Sequence, residues 1–401
     1  MIIKKAFKYQ LKTNPEQRES LLSFSGANRF VWNKALALQK RRLERPEKLE
    51  RRTLNYNELA LFLRLWKESD EWSFLKEAPS QTLQQTLKDL DRAIRDAFNP
   101  RQPLKRFPVF KKKHQTKGFR FPQSVKVEGN QVFVPKIGWL LFRKSRAIEG
   151  TIKNMTISEK NGHWYVSIQT EIEHVPVKNE NASSIGIDLG ISKTVSLSNG
   201  RIFQGAKSFR KNKNKLARFQ RILSRKQRFS NNWKKQKKKI SQIHEKIANS
   251  RHDRNHWMST FLVRNYTTIF AEDLSVKNQT KSAKGTTDSP GRMVKQKSGL
   301  NRSILDEAWH EFMRQLSYKS EWRNQVFWKV DPKYTSQRCS VCGHTDKSNR
   351  ESQAKFVCRK CSHSENADIN AAKNILAAGH AVFACGGETL VTPKKQEPLV
   401  A

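Results

Sequence analysis

The chain has 401 residues, with 78 Lys plus Arg against 36 Asp plus Glu, a formal net charge of +42, and 36% hydrophobic residues. That apolar share can build real cores, so the chain is no disordered polycation. So lopsided a charge repels itself unless a polyanion neutralises it, which favours a large nucleic-acid surface over a small-molecule site. A prior of about 150 residues per domain suggests two to four units. No stretch approaches the ~18 apolar residues of a spanning helix, and Met1-Ile2-Ile3-Lys4-Lys5 lacks the apolar centre of a signal peptide. A cytoplasmic, nucleoid-associated protein with no membrane partner is expected.

In chain order, a strand-like start runs through Leu11, and Asn14-Pro15-Glu16 reads as N-cap, first-turn proline and first-turn acid of a helix. Helices then dominate to about Phe98, the clearest being marked by Leu83, Leu87, Leu90, Ile94 and Phe98, one apolar stripe at helical spacing. Three prolines between Pro100 and Lys113 break that pattern, and the segment ends in the basic run Phe110-Lys111-Lys112-Lys113, which sets a boundary near 115. From Phe119 to Glu171 the pattern is β, with Gly129-Asn130 and Asn161-Gly162 as turn dipeptides, and a small barrel or curled sheet is expected. If the first strand pairs with that sheet, the helices are an insertion.

Ser184-Ile185-Gly186-Ile187-Asp188-Leu189-Gly190 is an apolar strand with an acid in it, and Thr268-Ile269-Phe270-Ala271-Glu272-Asp273-Leu274 is a second β-like run ending in acid. A buried carboxylate has to be protonated, salt-bridged or bound to a cation. A third acid, Asp368, opens the helical stretch Asp368 to Leu376, where it and Glu365 could equally be first-turn acids favoured by the helix dipole. Taken together, Asp188, Glu272 and Asp368 fit a cage for two divalent ions of the kind that hydrolyses phosphodiesters.

Between the first two acids lies the most basic stretch. Lys207 to Arg251 holds seventeen Lys or Arg and one acid, Glu245, interleaved with Leu216, Phe219, Leu223, Trp233, Ile240, Ile243 and Ile247. That spacing predicts a long helical hairpin whose cationic face, with Lys234, Lys235, Lys237, Lys238 and Lys239, contacts a phosphate backbone. Further on, Cys339-Ser-Val-Cys342 and Cys358-Arg-Lys-Cys361 are two C-x2-C pairs fifteen residues apart. Four thiolates complete a tetrahedral Zn²⁺ shell and leave no open position, so one structural zinc is expected, with His344 and His363 outside the shell. Cys385 stands apart and reads as a packed free thiol.

These residues resemble the TnpB family of insertion-sequence RNA-guided DNA nucleases, related to the type V CRISPR effectors, and the resemblance spans nearly the whole chain. It rests on Asn14-Pro15 through Ala27-Asn28-Arg29-Phe30-Val31-Trp32-Asn33 and on Phe107-Pro108-Val109-Phe110-Lys111-Lys112. It rests further on Gly186-Ile187-Asp188-Leu189-Gly190, Glu272-Asp273-Leu274 and Asp368-x-Asn370-Ala371-Ala372, with Thr335-Ser336-Gln337-x-Cys339-Ser340-x-Cys342-Gly343 between the last two.

The resemblance implies an α/β RNase H-like (RuvC-like) nuclease core at 181–335 and 365–390 with a zinc ribbon inserted at 336–364. It also implies a β-barrel wedge domain at 1–12 and 116–180, an inserted α-helical recognition domain at 13–115 and a tail at 391–401. Asp188, Glu272 and Asp368 become ligands of two catalytic Mg²⁺ ions. Tyr56 and Gln84 are placed on helices that approach the duplex beside the target, with Gln able to bond adenine bidentately. A prokaryotic, monomeric ribonucleoprotein is implied, with a guide RNA from the transposon end and a double-stranded DNA target beside a short motif. Lys277 to Gly299 is expected to be a mobile lid. A non-cutting RNA-guided binding protein and a DNA-strand-transfer transposase are the alternatives. The intact acid triad speaks against the first, and for the second the six tyrosines show no sign of housing a nucleophile beside a His pair.

Overall fold

The computed structural model describes residues 1–44, 52–113, 117–174 and 183–384. Cys385, the tail from 391 and the positions around the boundary at 115 lie outside the described residues. The chain divides into two units, Met1–Val175 and Pro176–Ala401.

The first unit opens with strand β1 (Ile2–Lys12) and helix α1 (Pro15–Leu43). Asn14 starts that helix: its side chain accepts from the Gln17 amide at 2.7 Å, and the Gln17 side chain accepts from the Asn14 amide at 3.1 Å, a reciprocal capping box behind a first-turn proline. Helix α2 (Tyr56–Glu68), a 3₁₀ segment at Asp70–Lys76 and helix α3 (Ser80–Phe98) follow. Leu83, Leu87, Leu90 and Ile94 are buried along α3, but Phe98, at the end of the helix, is 59% exposed, its ring edge-on to Phe107 at 5.9 Å.

Strands β2 (Gly118–Phe121), β3 (Val127–Glu128), β4 (Gln131–Val134), β5 (Gly138–Phe142), β6 (Thr151–Lys160) and β7 (His163–Glu173) complete the unit. Asn161 and Gly162 both have positive φ, +55° and +84°, as the two-residue turn joining β6 to β7 requires. The sheet order is β2-β6-β7-β1-β5-β4-β3. β1 pairs with β7 from Ile2 to Gln10, then reaches β5 at Leu11 and Lys12, so one strand curls the sheet between two partners. No ladder joins β2 to β3 among the described residues, so the sheet is curled rather than closed. Side chains of α1–α3 and of the sheet fill one continuous core that runs from Phe7 and Leu21 to Leu87 and Ile168.

In the second unit, β8 (Ser184–Asp188), β9 (Val195–Leu197) and β10 (Ile202–Phe203) precede the helices α4 (Ser208–Ser224) and α5 (Asn231–Asn265). Then come β11 (Thr268–Glu272), α6 (Val276–Gln279), α7 (Val294–Glu307), α8 (Trp309–Trp322), β12 (Val326–Val330), the short hairpin β13 (Lys355–Val357) and β14 (Ser364–Asn366), and α9 (Ala367–Ala384). The segment 277–299 contains the end of α6, a bridge between Gly285 and Pro290 and the first turns of α7.

The main sheet has the order β10-β9-β8-β11-β12, with β8, β11 and β12 mutually parallel and β9 and β10 antiparallel. Strand parity sends Ile185, Ile187, Ile269 and Ala271 into a core with Met258 and Leu262 of α5 and Phe312 and Leu316 of α8. The alternate residues face the other way, where Phe270 packs with Ile375 of α9. Gly186 belongs to that second face. A Cβ there would stand 2.1 Å from the Ala372 carbonyl oxygen, so glycine is what lets α9 lie directly on β8.

Candidate active site

The same parity that aims Gly186 and Phe270 at α9 aims Asp188 and Glu272 at it, two residues further along each strand. Ile187 is registered with Ala271, which brings the two acids to neighbouring strand ends. Asp273, one step on, turns away and pairs with Lys329 at 3.0 Å on the surface, which identifies Glu272 as the inward acid of the Glu272-Asp273 pair. Asp368 sits in the first turn of α9 and is buried. Glu365, the other acid near that helix start, belongs to β14 and is held by Lys373 at 2.5 Å, away from this cluster.

Asp188 feels the charges of the other two acids. Burial raises the Asp188 carboxyl to about 7, helped by the negative charges of Glu272 and Asp368 and opposed by Arg350. Glu272 is raised by burial as well, against the Thr335 hydroxyl, which donates to its Oε1 at 2.5 Å. Two cations flank Asp368, with Lys193 Nζ 3.8 Å from one oxygen and an Arg350 nitrogen 3.7 Å from the other. Carboxylate oxygens are hard donors of the kind that Mg²⁺ accepts.

A second cluster lies beside the first. The sulfurs of Cys339, Cys342, Cys358 and Cys361 all fall within 4.8 Å of one another, with Cys339 to Cys361 at 3.7 Å and Cys342 to Cys358 at 3.5 Å. A tetrahedron with Zn–S bonds of about 2.3 Å has sulfur edges of about 3.8 Å, so the spacing fits a closed four-thiolate zinc site. The two knuckles are built alike: the Cys339 amide donates to the His344 carbonyl and the Gly343 amide to the Cys339 carbonyl, while Cys358, His363 and Ser362 repeat the pattern. Gly343 and Ser362 take the positive φ that each turn needs, +75° and +57°. Buried Asn349 joins the knuckles, donating to the Gln337 and His344 carbonyls and accepting from the Arg359 amide.

The two clusters are mechanically linked through α9. Asn370 donates to the Arg338 carbonyl at 2.8 Å and accepts from the Ser340 amide at 2.9 Å, so the Asn370 of the Asp368-x-Asn370 motif grips the first knuckle. Asn374, one turn later, donates to the carbonyls of Thr335 and Arg338. Thr335 in turn contacts Glu272. Sequence reading missed Lys193, Arg350, Asn374 and the role of Thr335. Only Thr335 carried a signal, its place in the run before the first knuckle, whereas two cations among 78 are indistinguishable without the fold.

The long basic stretch forms the antiparallel pair α4 and α5, with Leu216, Ile243 and Ile247 buried between them. Lys234, Lys235, Lys237, Lys238 and Lys239 are all exposed near the start of α5. In the first unit, Gln84 is exposed on α3, and Tyr56, half-buried at the start of α2, lies under Lys88 at 4.8 Å. These residues are remote in sequence from the acids.

Adjacent strand ends carrying carboxylates, braced by a four-thiolate ribbon and separated in the chain by a cationic helical hairpin, are the framework of a nucleic-acid-processing protein. Family descriptions match three stretches: "Probable transposase" at residues 167–283, "Cas12f1-like, TNB domain" at 309–375 and "Helix-turn-helix domain" at 1–48. The "Putative RNA-guided DNA endonuclease InsQ" of Escherichia coli (strain K12) is 50% identical over 98% of this chain and 97% of its own length. A "Putative RNA-guided DNA endonuclease" of Streptomyces pristinaespiralis is 32% identical, covering 96% of this chain and 91% of the relative. The "CRISPR-associated endodeoxyribonuclease Cas12f1" of Sulfoacidibacillus thermotolerans is 29% identical, covering 54% of this chain and 50% of the relative. The chain belongs to the TnpB family. Among the described residues no helix is long and apolar enough to cross a membrane.

Proposed function

We propose that the protein is an RNA-guided, metal-dependent endonuclease of an insertion sequence that cuts double-stranded DNA beside a short motif, acting as a monomeric ribonucleoprotein in the bacterial cytoplasm at the nucleoid. The observation that carries the reading is the convergence of Asp188, Glu272 and Asp368 on the α9 face of the sheet, where burial and mutual repulsion raise Asp188 to about 7. In this reading the five-stranded sheet with α9 is the RuvC-like core, the curled sheet with β1 is the wedge and α1–α3 are the recognition helices. The four cysteines hold one structural Zn²⁺.

Asp188, Glu272 and Asp368 would hold two Mg²⁺ ions, which supply an activated water and charge stabilisation for the leaving oxygen. The remaining work falls to the chain itself. Thr335 orients Glu272, and Arg350 and Lys193, which flank Asp368, offer positive charge to a phosphodiester laid against the acids. The exposed lysines of α5 take up phosphates of the guide RNA or of the RNA–DNA hybrid, positioning the strand while base pairing carries the sequence. Tyr56 and Gln84 face the duplex beside the target.

The test is purification with the native RNA, sequencing of that RNA, and assay of a plasmid matched to its guide. The reading predicts Mg²⁺-dependent cutting of the matched plasmid alone. Cutting that needs no RNA would favour a strand-transfer enzyme, and RNA-dependent binding without cutting would favour a repressor-like protein.

A further inference from the structure

We infer that Tyr334 is a substrate-binding residue of the nuclease site, stacking on a nucleobase of the DNA strand next to the phosphodiester that is cut. The inference deepens the proposed endonuclease reading and rests on it. Tyr334 immediately precedes Thr335, whose hydroxyl reaches Glu272 at 2.5 Å, so the ring is anchored one residue from a site carboxylate. It is 64% exposed. Among the described residues neither its ring nor its hydroxyl has a hydrogen bond, ring contact or ion pair, so nothing in its own unit accounts for the aromatic side chain.

The backbone makes the choice of residue more telling. Tyr334 has φ +62°, a left-handed conformation that a bulky side chain rarely adopts and that glycine adopts freely. Of the ten described non-glycine residues with positive φ, two are aromatic, Phe229 and Tyr334, and Phe229 packs on Trp233 with ring centroids 5.6 Å apart. The strain at 334 is held from both sides. The Tyr334 carbonyl accepts from the amides of Gln337 and Arg338 at 2.9 and 3.0 Å, the Thr335 hydroxyl reaches the Pro332 carbonyl, and Asn374 fixes the Thr335 carbonyl. A strained, exposed, unpartnered aromatic fixed beside a catalytic cluster is what a stacking platform needs: a rigid π-face that any base can meet and that costs little ordering on binding. Lys333 and Arg338, both exposed, flank it with positive charge for the adjoining phosphates.

The test uses the ribonucleoprotein with its own guide and labelled duplexes in which a single abasic site is moved one nucleotide at a time around the cut. Tyr334→Ala should lower kcat/KM on intact DNA by about tenfold, the usual scale for one lost base–aromatic stack, while Tyr334→Phe retains activity. On the abasic duplex whose gap meets the ring, the wild type should lose the same factor and Tyr334→Ala nothing more. Tyr334→Gly should cut as poorly as Tyr334→Ala yet melt at the same or a higher temperature, because it relieves the left-handed strain. Tyr334→Ala or Tyr334→Gly cutting like wild type, or losses from substitution and abasic site that multiply, would overturn the inference. Failure of the wild type to cut guided DNA would instead remove the endonuclease reading beneath it.

Discussion

The zinc-type cluster and the acid cluster are neighbours built in opposite ways. Four cysteines lie between positions 339 and 361 and are gathered by two local turns of one repeated design, whereas the three acids are spread from position 188 to position 368 and meet only through the sheet. The first needs little but its own knuckles. The second exists only if β8 and β11 hold their register, Gly186 stays small and α9 is anchored, and that anchoring runs through Asn370 and Asn374 to the ribbon. The contrast teaches that the locally built site acts as scaffold for the assembled one.

The strongest way to break that relation is to remove the scaffold. Cys339→Ser with Cys342→Ser should cost about one zinc per chain by elemental analysis and abolish cutting, because the ribbon's fold is tied to its metal and α9 is tied to the ribbon. A metal-free variant that still cuts would separate the two sites. A milder attack is Gly186→Ala, whose new Cβ cannot stand 2.1 Å from the Ala372 carbonyl. Helix α9 must shift, and a displacement near 1 Å should slow cleavage by about 100-fold with zinc retained.

Asp188 offers a test by pH. Its folded carboxyl titrates at about 7 against an ordinary value of 3.8, so the folded chain binds that proton more tightly than the unfolded chain does. This contribution to stability is fully present below about pH 4 and is lost as pH rises through about 7. Asp188→Asn cannot ionise. In Mg²⁺-free buffer it should therefore melt close to wild type at pH 4 and above it at pH 8, by up to about 4 kcal/mol. Equal midpoints at pH 8 would mean that Asp188 is not buried against the other acids.

The smallest effect is expected at the basic hairpin. Replacing Lys234, Lys235, Lys237, Lys238 and Lys239 with Gln should flatten the dependence of log affinity on log salt by up to about 0.9 per lost duplex contact, or about 0.7 on a single strand. Matched and unmatched sequences should weaken alike. A changed melting point with an unchanged slope would make the run a solvated helix face.

Legibility followed the same local-versus-assembled divide. The N-cap at Asn14, the Asn161-Gly162 turn and the paired C-x2-C knuckles are short-range patterns visible in the sequence, whereas the Gln17 half of the capping box emerged only in the fold. The α3 stripe was legible to Ile94 but not to Phe98, because periodicity cannot say where a helix stops covering its core. Asp188 and Glu272 could be picked out as acids on apolar strands. Their meeting was expected from the chemistry of the three acids together, but the parallel register that produces it, between strands separated by the whole basic hairpin, was not legible. Arg350 and Lys193 carried no mark at all. Their importance lies in proximity to Asp368, which only the folded chain creates.

The central claim is that three distant carboxylates form one cutting site, and it is tested most directly by assaying Asp188→Ala, Glu272→Ala and Asp368→Ala ribonucleoproteins on a matched plasmid beside a gel shift on the same DNA. The account predicts that each variant binds RNA and target as wild type does and that none cuts, because a cage missing one ligand cannot hold its ions. Any one of the three that binds and still cuts at the wild-type rate would contradict it.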